Sequence, residues 1–238
     1  MIPIKIMTQP DDSTCGPTCL QAVYNFYGDT ISLQNVIHEV SYLEDGGTLA
    51  VFLACHALKR GYQAKLYTYD LKVFDPTWFL QKKTSVKEKL RLQLQAKKVG
   101  KIKRATKAFI EFIELGGQLF FENLTSALLR TYFQRKIPIL AGLSATYLYQ
   151  SAREKTLENL RNVVDDIEGS PVGHFVVLCG YDEVKKHIIV ADPYRENPVS
   201  KNNNYSVKVE RLINAILLGI VTYDANLLII QPGKKDHA

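Results

Sequence analysis

The stretch from Gln9 to Cys19, QPDDSTCGPTC, puts a glutamine, a cysteine and a helix start within eleven residues. Ser13 or Thr14 is the expected N-cap, and Pro17 falls in the first turn, where its missing N–H is tolerated. Downstream, Cys19, Leu20, Val23, Phe26 and Tyr27 recur at helical spacing until Gly28 closes the segment. Cys15 is therefore expected at, or within a turn of, a helix N-terminus. That placement favours a thiolate, because the positive end of the helix dipole stabilises negative charge.

A cysteine attacks carbonyls as the thiolate, so a catalytic one needs its ordinary pKa of ~8.5 pulled toward or below neutrality. The helix start supplies part of the pull, and an imidazolium from elsewhere in the fold must supply the rest. Of the histidines at 38, 56, 174, 187 and 237, His174 has the right setting. It follows a glycine and opens the apolar run GHFVVLCGYD, at a strand edge where an imidazole can face a cleft. The next run, HIIVADPY, ends in Asp192 and Pro193. A hairpin about YDEVKK brings His174 and Asp192 to the same end, where a carboxylate fixes the imidazole tautomer. Gln9 lies six residues before Cys15. Its amide NH2 and the Cys15 backbone N–H form a candidate oxyanion hole.

Each residue also has a plainer reading. Cys15 is otherwise a small buried thiol, His174 a satisfied histidine at a strand end, Asp192 a turn residue before proline, and Gln9 an ordinary loop glutamine. Cys19, one turn beyond Cys15, is read as core, as are Cys55 and Cys179 in their apolar helix and strand. The other four histidines are read as surface or helix-face residues. Gly46-Gly47 in EDGGT is read as a turn.

At these residues the sequence resembles the C39 peptidases, papain-like cysteine peptidases that trim leader peptides after a double glycine. The resemblance rests on Gln9, CGPT from Cys15, GHFVVLCGYD around His174 and ADPY around Asp192. It extends to DGGTLAVFLACHALKRGY and to the closing KVERLINAILLGIVTYDANLLII, and so covers residues 1–66 and 136–232. It implies an α+β papain-like fold, with an N-terminal catalytic helix on a C-terminal antiparallel sheet. It also implies catalytic Cys15, His174, Asp192 and Gln9 acting on a peptide or protein substrate. No metal or organic cofactor is required.

Residues 67–135 have no counterpart in the resemblance and read as a basic, mainly helical insertion in a single domain spanning 1–238. From Lys82 to Lys107 there are eleven Lys or Arg against one acid, Glu88, a concentration that accounts for the net charge of +6. The run fits a solvated helix or insertion, or a docking face for nucleic acid, phospholipid headgroups or an acidic partner. No aromatic residue is interleaved in it, which argues against base stacking.

Elsewhere the reading is conventional. A helix is expected over Leu33 to Val40, and another, capped by Thr48, up to Gly61. A strand is expected in YQAKLYTY. FIEFIEL and its continuation read as a helix, a break at Gly116-Gly117, and a second helix. The last third reads as short β-rich runs, IPILAGL, GHFVVLCGYD, HIIVADPY, YSVKVERL and NLLIIQP. With 46% hydrophobic and 23% charged residues the composition is that of a globular protein. No apolar stretch reaches the ~18 residues of a membrane helix, and no secretory signal is evident, so a cytoplasmic protein is expected. Two further functions remain open: an acyltransferase, transglutaminase or deamidase using the same residues, and an inert binding module.

Overall fold

The computed structural model describes residues 1–43, 47–80, 85–157 and 162–233. Gly46, Lys82, Lys83 and His237 lie outside these residues. The chain opens with three helices, α1 (Cys15–Phe26), α2 (Leu33–Glu39) and α3 (Ala50–Lys59), followed by strand β1 (Tyr62–Thr68). Helices α4 (Val86–Ala96) and α5 (Gly100–Glu114), a short strand β2 (Gln118–Phe120) and α6 (Ser126–Gln134) come next. Then follow β3 (Ile139–Ser144), α7 (Ala145–Tyr149) and a small hairpin of β4 (Glu154–Thr156) and β5 (Asn162–Val164). The chain continues through β6 (Gly173–Asp182), β7 (His187–Ala191), β8 (Asn204–Lys208), α8 (Val209–Leu218) and β9 (Asn226–Pro232).

Among the described residues, seven strands form one sheet in the order β2-β1-β9-β3-β6-β7-β8. All neighbours are antiparallel except β1 and β2. The fold is the expected α+β class, with the α1 helix packed on an antiparallel-dominated sheet. The apolar strands are buried on both faces, and their alternation sorts residues between two cores. Phe175, Val177, Cys179, Leu228 and Ile230 join the core made with α1, α3 and α5. Val176, Leu178, Leu227 and Ile229 join the core beneath α6 and α8. Truncating one of the large buried side chains, such as Leu53 or Phe112 at 0% exposure, is expected to cost about 2–5 kcal/mol.

Three local expectations are corrected. Thr48 does not cap α3: its N-cap is Leu49, and the Thr48 hydroxyl donates instead to the Ser41 carbonyl at 2.9 Å. YSVKVERL is strand only through Lys208, because Val209, Leu212, Ala215 and Ile216 form the buried stripe of helix α8. The sheet is also not wholly C-terminal. Both β1 and β2 extend it, and β2 lies just after the Gly116-Gly117 break, where an immediate second helix was expected.

Residues 67–135 share the main core. Leu90, Ala105, Ala108, Phe109 and Phe112 pack into the same cluster as α1 and α3. Part of the basic run is internally paired, Arg91 with Glu88 and Glu114 at 2.5 and 3.0 Å, and Lys87 with Glu114 at 3.9 Å.

Candidate active site

Cys15 is the first residue of α1, with Thr14 at the N-cap. The preceding turn is fixed by Asp11, whose carboxylate accepts the backbone N–H and hydroxyl of Ser13 at 2.8 and 2.7 Å. Gly16 is what lets this helix end sit so deep: a Cβ there would meet Thr48, Leu53 and Phe175. Further along α1, the Cys19 thiol donates to the Phe175 carbonyl at 3.2 Å, locking the helix onto β6. The first N–H groups of a helix have no intrahelical acceptor, so the Cys15 amide is a donor at the cleft.

His174 and Asp192 reach the same place from the sheet. Strand β6 pairs with β3 and β7, Leu143 opposite His174 and Ala191 opposite Val177. The hairpin leaves His174 Nε2 2.8 Å from Asp192 Oδ1. The other imidazole nitrogen takes no part in this contact, and Cys15 lines the same cleft as His174. His174 and Asp192 are 7% and 0% exposed. Burial alone would disfavour the imidazolium, but the Asp192 charge and the hydrogen bonds to Asp192 and Cys15 outweigh it and raise the His174 pKa. Asp192 moves the other way: burial opposes its ionisation, and His174 with two tyrosine hydroxyls overcomes that and holds the carboxyl below its ordinary value.

Those tyrosines were not singled out in the sequence. Tyr149, at the end of α7, and Tyr205, in β8, donate to Asp192 Oδ2 at 2.8 and 2.7 Å. The Tyr194 backbone N–H adds a bond to Oδ1 at 2.9 Å, and the Asn203 amide secures the Asp192 carbonyl at 2.7 Å. The carboxylate thus accepts four hydrogen bonds.

Gln9 is placed differently from the other three. Its backbone N–H donates to the Pro193 carbonyl at 3.0 Å, tying the N-terminal segment to the Asp192 end of the sheet. Its side-chain NH2 donates to the Asp11 carbonyl at 2.8 Å, while Oε1 is buried with no partner among the described residues. The amide is therefore near the start of α1 but engaged with the backbone.

Cys15 and His174 line a cleft of about 220 Å³, together with Asp12, Ser13, Thr48, Lys101, Thr222 and Asp224. Gly47 lines it too. Lys101, from α5, carries the basic segment to this cleft. Cys19, Cys55 and Cys179 are buried free thiols, pushed up in pKa by burial. His56, read as a surface or helix-face residue, lies on α3 and is buried at 8% exposed, held by the Tyr24 hydroxyl at 2.8 Å and Glu39 at 3.0 Å. No helix of the described residues is long and apolar enough to cross a membrane.

Residues 110–215 match the Peptidase_C39 like family. That span holds His174 and Asp192 but not α1. No curated protein matches the chain. Among solved structures, a C39-like peptidase from Bacillus anthracis superposes with a TM-score of 0.51 at 14% identity, over 97% of this chain and 96% of that one. The peptidase domain of Streptococcus ComA, a bi-functional ABC transporter, gives 0.45 at 15% identity over 97% and 99%. A double glycine motif protease from an AMS/PCAT transporter, solved with its leader peptide, gives 0.45 at 16% over 97% and 93%. The C39 resemblance drawn from the motifs stands: in fold, and in the sequence of residues 110–215, the chain is similar to C39-like peptidases.

Proposed function

We propose that the protein is a cysteine peptidase in which Cys15, His174 and Asp192 act as a triad on a peptide or protein substrate. The observation that supports this most directly is that Cys15 and His174 line one cleft, with His174 held at 2.8 Å by a fully buried Asp192. The Cys15 thiolate adds to the peptide carbonyl carbon, forming an S–C bond and an oxyanion. The His174 imidazolium then gives its proton to the leaving amine as the C–N bond breaks. Water, losing a proton to His174, cleaves the resulting thioester and frees Cys15. Asp192 keeps Nε2 protonated and stabilises the imidazolium throughout.

The Cys15 N–H is the first oxyanion donor, and Gln9 is the second. For that role its NH2 must leave the Asp11 carbonyl, which it now holds at 2.8 Å. Residues 67–135 act in this reading as an insertion that frames the cleft, supported by Lys101 in its lining.

The test is incubation of the protein with a diverse peptide library, read by mass spectrometry for new termini. Cleavage by the native chain and none by Cys15→Ala supports the peptidase. Ammonia release or amine incorporation without cleavage would assign a deamidase or transferase instead.

A further inference from the structure

Asp224 is a buried carboxylate that the proposed reaction does not use, yet it forms part of the same cleft wall as Cys15 and His174. It is 6% exposed and sits in the turn between α8 and β9. The surrounding backbone is cleared for it by glycines. A Cβ at Gly173, the residue before His174, would collide with the Asp224 carboxylate, and one at Gly142 with its carbonyl oxygen. A Cβ at Gly219 would lie 3.1 Å from the Asp224 carbonyl carbon. The turn is held by backbone bonds, Asp224 N–H to the Gly219 carbonyl at 2.8 Å and Asn226 N–H to the Asp224 carbonyl at 2.7 Å.

The carboxylate is only partly compensated. Thr222 is its hydrogen-bonding neighbour, but that hydroxyl has one proton and also lies 3.1 Å from the Gly219 carbonyl. Lys101 contributes a favourable charge, and His174 a further one, while Asp70 opposes ionisation. Burial dominates and pushes the carboxyl up to about 7. Among the described residues, the cleft lining carries two carboxylates, Asp12 and Asp224, against one lysine, Lys101, with His174 already paired to Asp192. Leu43 and Phe175 supply an apolar strip beside them. An alkyl stem with a cationic head matches that combination of strip and carboxylate.

We infer that the cleft holds a subsite for a basic side chain, arginine or lysine, of the substrate next to the scissile bond, with Asp224 as the recognising carboxylate. The inference rests on the reading of Cys15 as nucleophile and names the substrate class of that same site. A guanidinium or ammonium entering the subsite supplies the missing counter-charge, and the desolvated pair discriminates against neutral isosteres because an unmatched Asp224 stays buried. Asp224 is here a specificity residue, not a proton carrier.

The test uses peptidyl chloromethyl ketones, in which the Cys15 thiolate displaces chloride to form an S–C bond. The residue at each of the two positions nearest the warhead is arginine, citrulline, leucine or glutamate in turn, and citrulline removes only the charge. Labelling of Cys15 is followed by intact mass and peptide mapping. At one of the two positions arginine should label faster than citrulline by about tenfold or more, and Asp224→Asn should abolish that ratio. Lys101→Ala, which leaves Asp224 in place, should raise it. Equal rates for arginine and citrulline, or a preference that survives in Asp224→Asn with its melting temperature retained, overturn the subsite alone. If Asp224→Asn does not fold, an unchanged ratio in Lys101→Ala overturns it. No labelling of Cys15 by any probe, with labelling intact in denaturant, overturns the nucleophile and the subsite with it.

Discussion

Nε2 of His174 lies 2.8 Å from Oδ1 of Asp192, and Oδ2 of that carboxylate receives the hydroxyls of Tyr149 and Tyr205. This arrangement occupies Nε2 and leaves Nδ1 as the nitrogen available to Cys15 in the proposed triad. Asp192→Asn removes the charge that sustains the imidazolium, and kcat/KM should fall by on the order of 10²–10⁴. Tyr149→Phe and Tyr205→Phe each remove one hydrogen bond to a charged group, and each should cost about 1.5–3 kcal/mol. Both should also shift the acid limb of the pH–rate profile upward, since Asp192 loses a group that lowers its pKa. An unshifted profile with reduced stability would assign the tyrosines to packing alone.

The elevated pKa of Asp224 makes a stability prediction of definite sign. Its folded value of about 7 lies above the reference 3.8, so its contribution is fully present below pH ~3.8 and is lost as pH rises through about 7. Lys101, His174, Asp70 and the Thr222 hydroxyl all bear on it. Asp224→Asn, which carries no such penalty, should gain on the native chain across that window, by on the order of 2–4 kcal/mol at pH 8. Urea unfolding at pH 4.5 and pH 8 measures the difference. Parallel stabilities at both values would show that Asp224 is not titrating in this range.

Gly173→Ala should be costly although Ala is an ordinary strand residue, because its Cβ would overlap the Asp224 carboxylate. A loss of about 1–3 kcal/mol is expected from overpacking. Asp224→Ala in the same chain should recover part of it, a coupling that a double-mutant cycle reads directly. Additive losses would place the strain elsewhere.

Cys19→Ala should leave turnover within about threefold, since Cys19 is fully buried behind Cys15 and its thiol serves the Phe175 carbonyl. The change removes one weak hydrogen bond and a small volume, at a cost of about 1–2 kcal/mol. A collapse of turnover with the fold intact would mean that Cys19 takes part in the chemistry.

Local pattern made much of the fold legible. The α1 segment has caps, spacing and a closing glycine within fifteen residues, and β3, β6, β7 and β9 are apolar runs bounded by turn residues. His174 and Asp192 were readable as neighbours because a short hairpin joins their strands. Asp224, Tyr149 and Tyr205 were not, because they reach the site through the order of strands in the sheet and the packing of α7. Helix α8 was misread as part of a β-rich run because Val207 and Val209 continue the strand-like composition, although the buried stripe has helical period. Gln9 was readable as a position, but the orientation of its amide depends on the Asp11 carbonyl, which no local pattern announces.

The most direct measurement of the central claim is the rate of iodoacetamide alkylation against pH, located by mass spectrometry, in the native chain and in His174→Ala. Cys15 should be labelled at pH 6 at a rate within a few-fold of that at pH 8, while Cys19, Cys55 and Cys179 stay unlabelled in their buried positions. In His174→Ala the labelling of Cys15 at pH 6 should fall by at least about tenfold. A Cys15 that gains reactivity steeply between pH 6 and pH 8 in both proteins, like an ordinary thiol, or that does not react at all, would contradict the thiolate–imidazolium pair on which the account rests.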